Sequence, residues 1–162
     1  MDTEPLLDML QAIETLRPAA ALRASFVAYP LVNALHILSL GILVTVVALM
    51  DLRVLGRFSR FGARPFVAAL RPLAVGAFAG TVATGLALFS IRASEYAFNP
   101  AFQLKLALIV LAGLNLALFL RAGHGHGEAR RDGFSGAERF SAAASLILWP
   151  GVLVAGRFIG FV

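Results

Sequence analysis

The chain has 162 residues, of which 59% are hydrophobic and 14% charged, with a mean hydropathy of +0.83 and a formal net charge of +5. That balance excludes an ordinary soluble domain, and the length leaves room for one bundle with short links and no separate soluble catalytic domain. The absence of cysteine excludes disulfides, thiolate metal sites, iron–sulfur clusters and a cysteine nucleophile.

Met1 to Leu16 carries Asp2, Glu4, Asp8 and Glu14. This is the wrong charge for the n-region of a cleaved signal peptide, so the first apolar span is expected to be retained. Within this segment Leu6, Leu7, Leu10, Ile13 and Leu16 fall near helical spacing with acids opposite. The pattern predicts an amphipathic interfacial helix over about 5–16. Four apolar segments of membrane-spanning length follow, at about 26–50, 72–91, 102–120 and 142–161. Pro72 suits a first helical turn, Asn99-Pro100 suits an N-cap followed by N1, and Ser135 to Glu138 is a capping-box pattern. Lipid offers the backbone no hydrogen bonds, so the spans must be helical, and short links favour antiparallel neighbours. The expected fold class is all-α: a single transmembrane domain over 1–162, an up-down four-helix bundle with an interfacial N-terminal helix.

Charge in the links sets the expected orientation. The first link holds Arg53, Arg57, Arg60, Arg64 and Arg71, and the third holds Arg121, Arg130, Arg131 and Arg139, nine of the fourteen basic residues. The positive-inside rule puts these links in the cytoplasm and both termini on the periplasmic side of a bacterial inner membrane. Arginines beside a bilayer serve topology and anionic headgroups, and no recognition motif accompanies them, so no nucleic-acid partner is expected.

His36 is the one histidine at hydrocarbon depth, inside a stretch from Ala24 to Met50 free of Asp, Glu, Lys and Arg. An ionisable group there is costly and needs a partner. Tyr29, Asn33 and His36 follow i, i+4, i+7 spacing and share a helix face. Lys105 lies just inside the third span and Arg157 just before the end of the fourth, while Arg92, Glu95 and Tyr96 sit in the second link. In the expected topology all of these converge at the outer level of the membrane. The two cations also have a plainer reading: they snorkel to the interface, with Glu95 pairing one of them. For His36 the plainer reading is a neutral, hydrogen-bonded packing histidine.

This site chemistry suits some ligands better than others. A haem of the b type normally takes two axial imidazoles. His124 and His126, in the Gly123 to Gly127 loop, lie at the opposite side and cannot complete a site with His36. Copper transport finds few soft ligands, with no cysteine and only Met1, Met9 and Met50. A quinone or an anionic ligand is easier to house, because His36, Lys105 and Arg157 offer donors beside an apolar wall. No nucleophile–base pair, phosphate loop or paired carboxylates stand at suitable depth, so an autonomous enzyme is not expected. Gly76-x-x-x-Gly80 and Gly156-x-x-x-Gly160 permit close helix approach, Trp149-Pro150 should bend the fourth helix, and Asn115 reads as a cross-helix hydrogen bonder.

In order along the chain, Tyr29-Pro30 with His36, Asp51-Leu-Arg53 with Leu55-Gly56, Gly85, Asn99-Pro100-Ala-Phe102 with Lys105, Trp149, and Gly156-Arg157 resemble a family of small bacterial four-helix membrane proteins of unknown function. The resemblance implies an inner-membrane location and a four-helix architecture. More distantly, the architecture is similar to the membrane part of copper-resistance protein D and to cytochrome b561-like bundles. The expected function is an integral membrane subunit that binds a cofactor, a lipid or quinone, or a partner protein through His36, Asn33, Tyr29, Lys105 and Arg157. His36 is also the expected ligand for any metal. The unidentified cofactor is a haem b or a quinone, and the partners are the bilayer and further copies or other membrane subunits in a redox-type assembly. The alternatives are a small-solute or copper permease and a purely structural accessory subunit.

Overall fold

A computed structural model describes residues 4–124 and 133–161. Among the described residues seven helices follow one another: α1 Glu4–Thr15, α2 Arg17–Ala24, α3 Ala28–Val54, α4 Ala63–Phe89, α5 Ala93–Ala97, α6 Pro100–His124 and α7 Gly136–Phe158. No strand occurs among the described residues. Helices α3, α4, α6 and α7 are long and apolar enough to cross a membrane. The protein is a multi-pass membrane protein built as a helical bundle. Its long helices expose leucine, isoleucine and phenylalanine all round, as a lipid-facing surface requires.

Several boundaries differ from the sequence reading, for physical reasons. The second spanning helix begins at Ala63, so Arg64 and Arg71 belong to it rather than to the link. Pro72 lies inside the helix, and Pro65 is the proline that occupies the permissive first turn. The N-terminal segment is two helices rather than one, because Pro18 starts a new helix after Leu16. The last spanning helix starts at Gly136 on a complete capping box: the Ser135 hydroxyl accepts from Glu138 N, and Glu138 Oε2 accepts from Ser135 N at 2.7 Å. Asn99 caps α6 as expected, its Oδ1 accepting from Phe102 N at 3.1 Å. α6 runs to His124, which is therefore helical backbone rather than loop, and His126 lies outside the described residues.

Helix α3 ends in a Schellman motif. Arg57 N donates to Leu52 O at 2.9 Å and Gly56 N to Arg53 O at 3.1 Å, and Gly56 supplies the required positive φ of 99°. Arg53 then fastens the short link by donating from Nη2 to Phe61 O at 2.6 Å. At the other end of the bundle, α1 packs on α5. Ser94 donates to Glu14 Oε1 from its amide at 2.8 Å and from its hydroxyl at 2.6 Å. Arg23 reaches the Ile91 carbonyl at 2.6 Å. The amphipathic helix thus rests on the α4–α6 connection.

Packing within the bundle is unequal. α3 packs closely with α4, α6 with α7, and α3 with α7, whereas α4 and α6 only graze each other. Across α6 and α7, Asn115 Nδ2 donates to Ser141 O at 2.9 Å, the cross-helix bond its position suggests. Gly80 lets α3 come close to α4: a Cβ there would stand 2.9 Å from Ser39 Oγ, whereas one at Gly76 would meet nothing within 4 Å. Only the second glycine of that pair is needed for the approach. The seam left between α4 and α6 opens into a cavity toward the arginine-rich end.

Candidate functional site

His36 lies eight residues into α3, about 12 Å from the start of the helix. Its ring turns toward α4, where Nδ1 is 2.9 Å from Thr84 Oγ1. The Thr84 hydroxyl carries one proton, and its partner is the Gly80 carbonyl at 2.6 Å. A hydroxyl that has given its proton to a carbonyl can only accept from a neighbour. With that proton on the Gly80 carbonyl, Nδ1 of His36 is the donor to Thr84, and in this tautomer Nε2 keeps its lone pair. The Thr81 carbonyl is a further acceptor on the same side. Gly85 leaves space for the ring, since a Cβ there would be 3.1 Å from His36 Cε1.

Lys105 of α6 is the charged group whose field reaches His36. Its aliphatic stem and ammonium lie over Gly156 of α7, 3.6 Å from where a Cβ would stand. The first glycine of the Gly156-x-x-x-Gly160 pair thus makes room for a side chain, and nothing lies within 4 Å of a Cβ at Gly160. Three helices contribute to this centre: α3 the imidazole, α4 the threonine that orients it, and α6 the cation.

The other expected site residues are placed less centrally. Asn33 is half-buried on α3 with no hydrogen-bond partner among the described residues, and Tyr29 is exposed beside Tyr96 of α5. Burial, followed by the neighbouring Tyr29, raises the Tyr96 hydroxyl above the usual phenol value and keeps it a hydrogen-bond donor. Arg157 is exposed, with its guanidinium 4.7 Å from the centroid of the Phe161 ring. Glu95 pairs with Arg92 at 3.1 Å rather than with Lys105 or Arg157.

Thr84 and Gly85 were absent from the sequence-derived site. Thr81 and Thr84, three residues apart and the only polar side chains of α4 beyond Arg71, were the available signal. The donor set does not fit a bis-imidazole haem: His36 is the only histidine within the four spans. No cluster of three or more His, Cys, Asp or Glu side chains gathers among the described residues.

A second polar group sits toward the arginine-rich end. Asp51 of α3 is 9% exposed, with Ser145 as its hydrogen-bonding neighbour, and its Oδ2 is buried without a partner. Arg64 of α4 stands 3.9 Å from Glu138 and 5.3 Å from the centroid of the Phe134 ring, which ties α4 to the start of α7.

No family model, curated protein or solved structure matches the chain.

Proposed function

We propose that the protein is a membrane-integral binding subunit of a redox-type assembly in the bacterial inner membrane, with its arginine-rich end in the cytoplasm. His36 and Lys105 hold the oxygen-bearing head of a quinone-type ligand near the periplasmic level. The single observation that carries this reading is the His36–Thr84 bond, because it engages Nδ1 and leaves Nε2 for a ligand, with Lys105 the cation whose field reaches the ring. A bare imidazole nitrogen accepts a phenolic O–H, an ammonium donates to a carbonyl or phenolate oxygen, and the surrounding aliphatic surface suits the ring. Asn33 supplies an unengaged amide three residues before His36, and Tyr29 and Tyr96 supply hydroxyls toward the membrane surface.

Equilibrium dialysis of the detergent-solubilised protein against decylubiquinol and decylubiquinone tests this directly. Wild type should bind the quinol, and His36→Ala and Lys105→Met should each weaken binding by roughly tenfold, the worth of one charge-assisted or buried hydrogen bond. Binding that is unchanged in both variants would reject the site. An absorption spectrum and metal analysis on the same samples cover the remaining chemistry of a bare Nε2: a Soret band or stoichiometric metal lost in His36→Ala would replace the quinone with a cofactor completed by another subunit's ligand.

A further inference from the structure

The cavity in the open seam between α4 and α6 has a volume of about 340 Å³ and takes its walls from all four spanning helices. On α3 it extends from Val54 to Leu43, eleven residues or about 16 Å, inward from the arginine-rich end. Its lining is polar near that end, where Asp51, Arg71, Asn115 and Ser145 meet it, and apolar further in at Leu43, Phe78 and Ile109. Helix α3 has 27 residues, about 40 Å, which exceeds the roughly 30 Å hydrocarbon core. Asp51, three residues from the end of α3, is therefore at headgroup level.

The two charged residues lining the cavity are not used by each other. Asp51 Oδ2 is the one buried side-chain oxygen or nitrogen without a hydrogen-bond partner among the described residues. Arg71 forms no ion pair or hydrogen bond among them either, and it does not approach Asp51 to within ion-pair distance. Arg53, Arg64 and Arg139 are engaged with the Phe61 carbonyl, Glu138 and the Val54 carbonyl. A buried carboxylate oxygen left orphaned in this way is costly unless a donor meets it.

From the carboxylate, the separate arginine and the apolar shaft, walled by helices of membrane-spanning length, we infer that this cavity binds an aminophospholipid. Its primary ammonium donates to Asp51, its phosphodiester meets Arg71, and one acyl chain follows the shaft between α4 and α6. The order of these groups along the cavity matches a zwitterionic amphiphile better than an anionic one such as phosphatidylglycerol, which would bring net negative charge to Asp51 with hydroxyl donors but no ammonium to offset it. The bilayer supplies the ligand, and the unpacked α4–α6 seam admits it sideways.

Competition between phosphatidylethanolamine and phosphatidylcholine isolates the ammonium N–H, because the two share phosphate and chains while the choline head has no donor. Native mass spectrometry of the full chain, equilibrated in detergent with equal amounts of both, should show phosphatidylethanolamine favoured by roughly tenfold. Asp51→Asn keeps the shape of the side chain and should bring that ratio close to one. Gly113→Leu, which enters open space beside the cavity, should remove both lipids. An even ratio in wild type, an unchanged ratio in Asp51→Asn, or phosphatidylglycerol displacing both would overturn the inference. The wild-type ratio needs no variant, so a misfolded mutant does not blunt the test.

Discussion

The Thr84 hydroxyl stands 2.9 Å from Nδ1 of His36 and 2.6 Å from the carbonyl of Gly80, so a single threonine on α4 fixes the tautomer of an imidazole on α3. This relay makes the histidine a defined acceptor instead of a ring free to turn. Thr84→Val preserves shape and removes the relay, leaving the Nδ1 proton without its side-chain acceptor. The expected cost is about 1 kcal/mol of stability in detergent, with weaker quinol binding, whereas Thr84→Ser should retain both. Thermal unfolding and dialysis on the two variants check this.

Gly85 offers a way to disturb the ring without touching its chemistry. A methyl group there would meet His36 Cε1 at 3.1 Å, closer than ordinary contact, while the same change at Gly76 meets nothing within 4 Å. Gly85→Ala should lower ligand affinity with a stability change below about 1 kcal/mol, and Gly76→Ala should leave affinity as it is. Equal effects from both would show that the close packing of the imidazole does not matter to binding.

The joint between α1 and α5 should respond to acid. Glu14 is held below its usual value of 4.5 first by the Ser94 hydroxyl, then by the Ser94 amide, with Arg23 adding to the effect against a small opposing cost of burial. A carboxylate whose folded value is depressed stabilises above its unfolded value and loses that contribution as pH falls through the folded one. α1 should stay docked at neutral pH and loosen only below about pH 4.5. Hydrogen exchange across residues 4–15 would report this, and Glu14→Gln should reproduce the acid behaviour at neutral pH.

Glu138 combines two tasks at the start of α7, closing the capping box and facing Arg64 at 3.9 Å, while only 2% exposed. Glu138→Ala removes both and should destabilise the protein by about 2 kcal/mol. Glu138→Gln keeps an acceptor for Ser135 N and should cost less, which a pair of thermal unfolding curves would show.

What the sequence made legible was local. Asn99 and the Ser135–Glu138 box announce helix starts because capping is a contact between residues three apart, and the same proximity makes their spacing readable. The start of α4 was misplaced because a membrane boundary was taken for a helix boundary. Apolar character begins near Pro72, but backbone hydrogen bonding continues outward through Arg71 and Arg64 to Gly62, where long basic side chains can remain helical and still reach water. Arg157 illustrates a different limit. Its place in the last turn of α7 is legible in the sequence, yet the direction it takes around the helix depends on Phe161 and on how the helices rotate against each other. Thr84 and the empty side of Asp51 are products of helix pairing, and no spacing within one helix encodes them.

The uneven packing also bears on how the chain assembles. α3 with α4, and α6 with α7, are each a helical hairpin that buries its own interface, and the two hairpins meet most extensively where α3 touches α7, with Arg64–Glu138, Phe78–Trp149 and Phe89–Phe102 as further points of contact. During synthesis the first hairpin has its full internal partner before any of α6 exists, and the second forms in the same way. One docking event, α3 against α7, then completes the bundle, so the two halves expressed as separate polypeptides should find each other in the membrane.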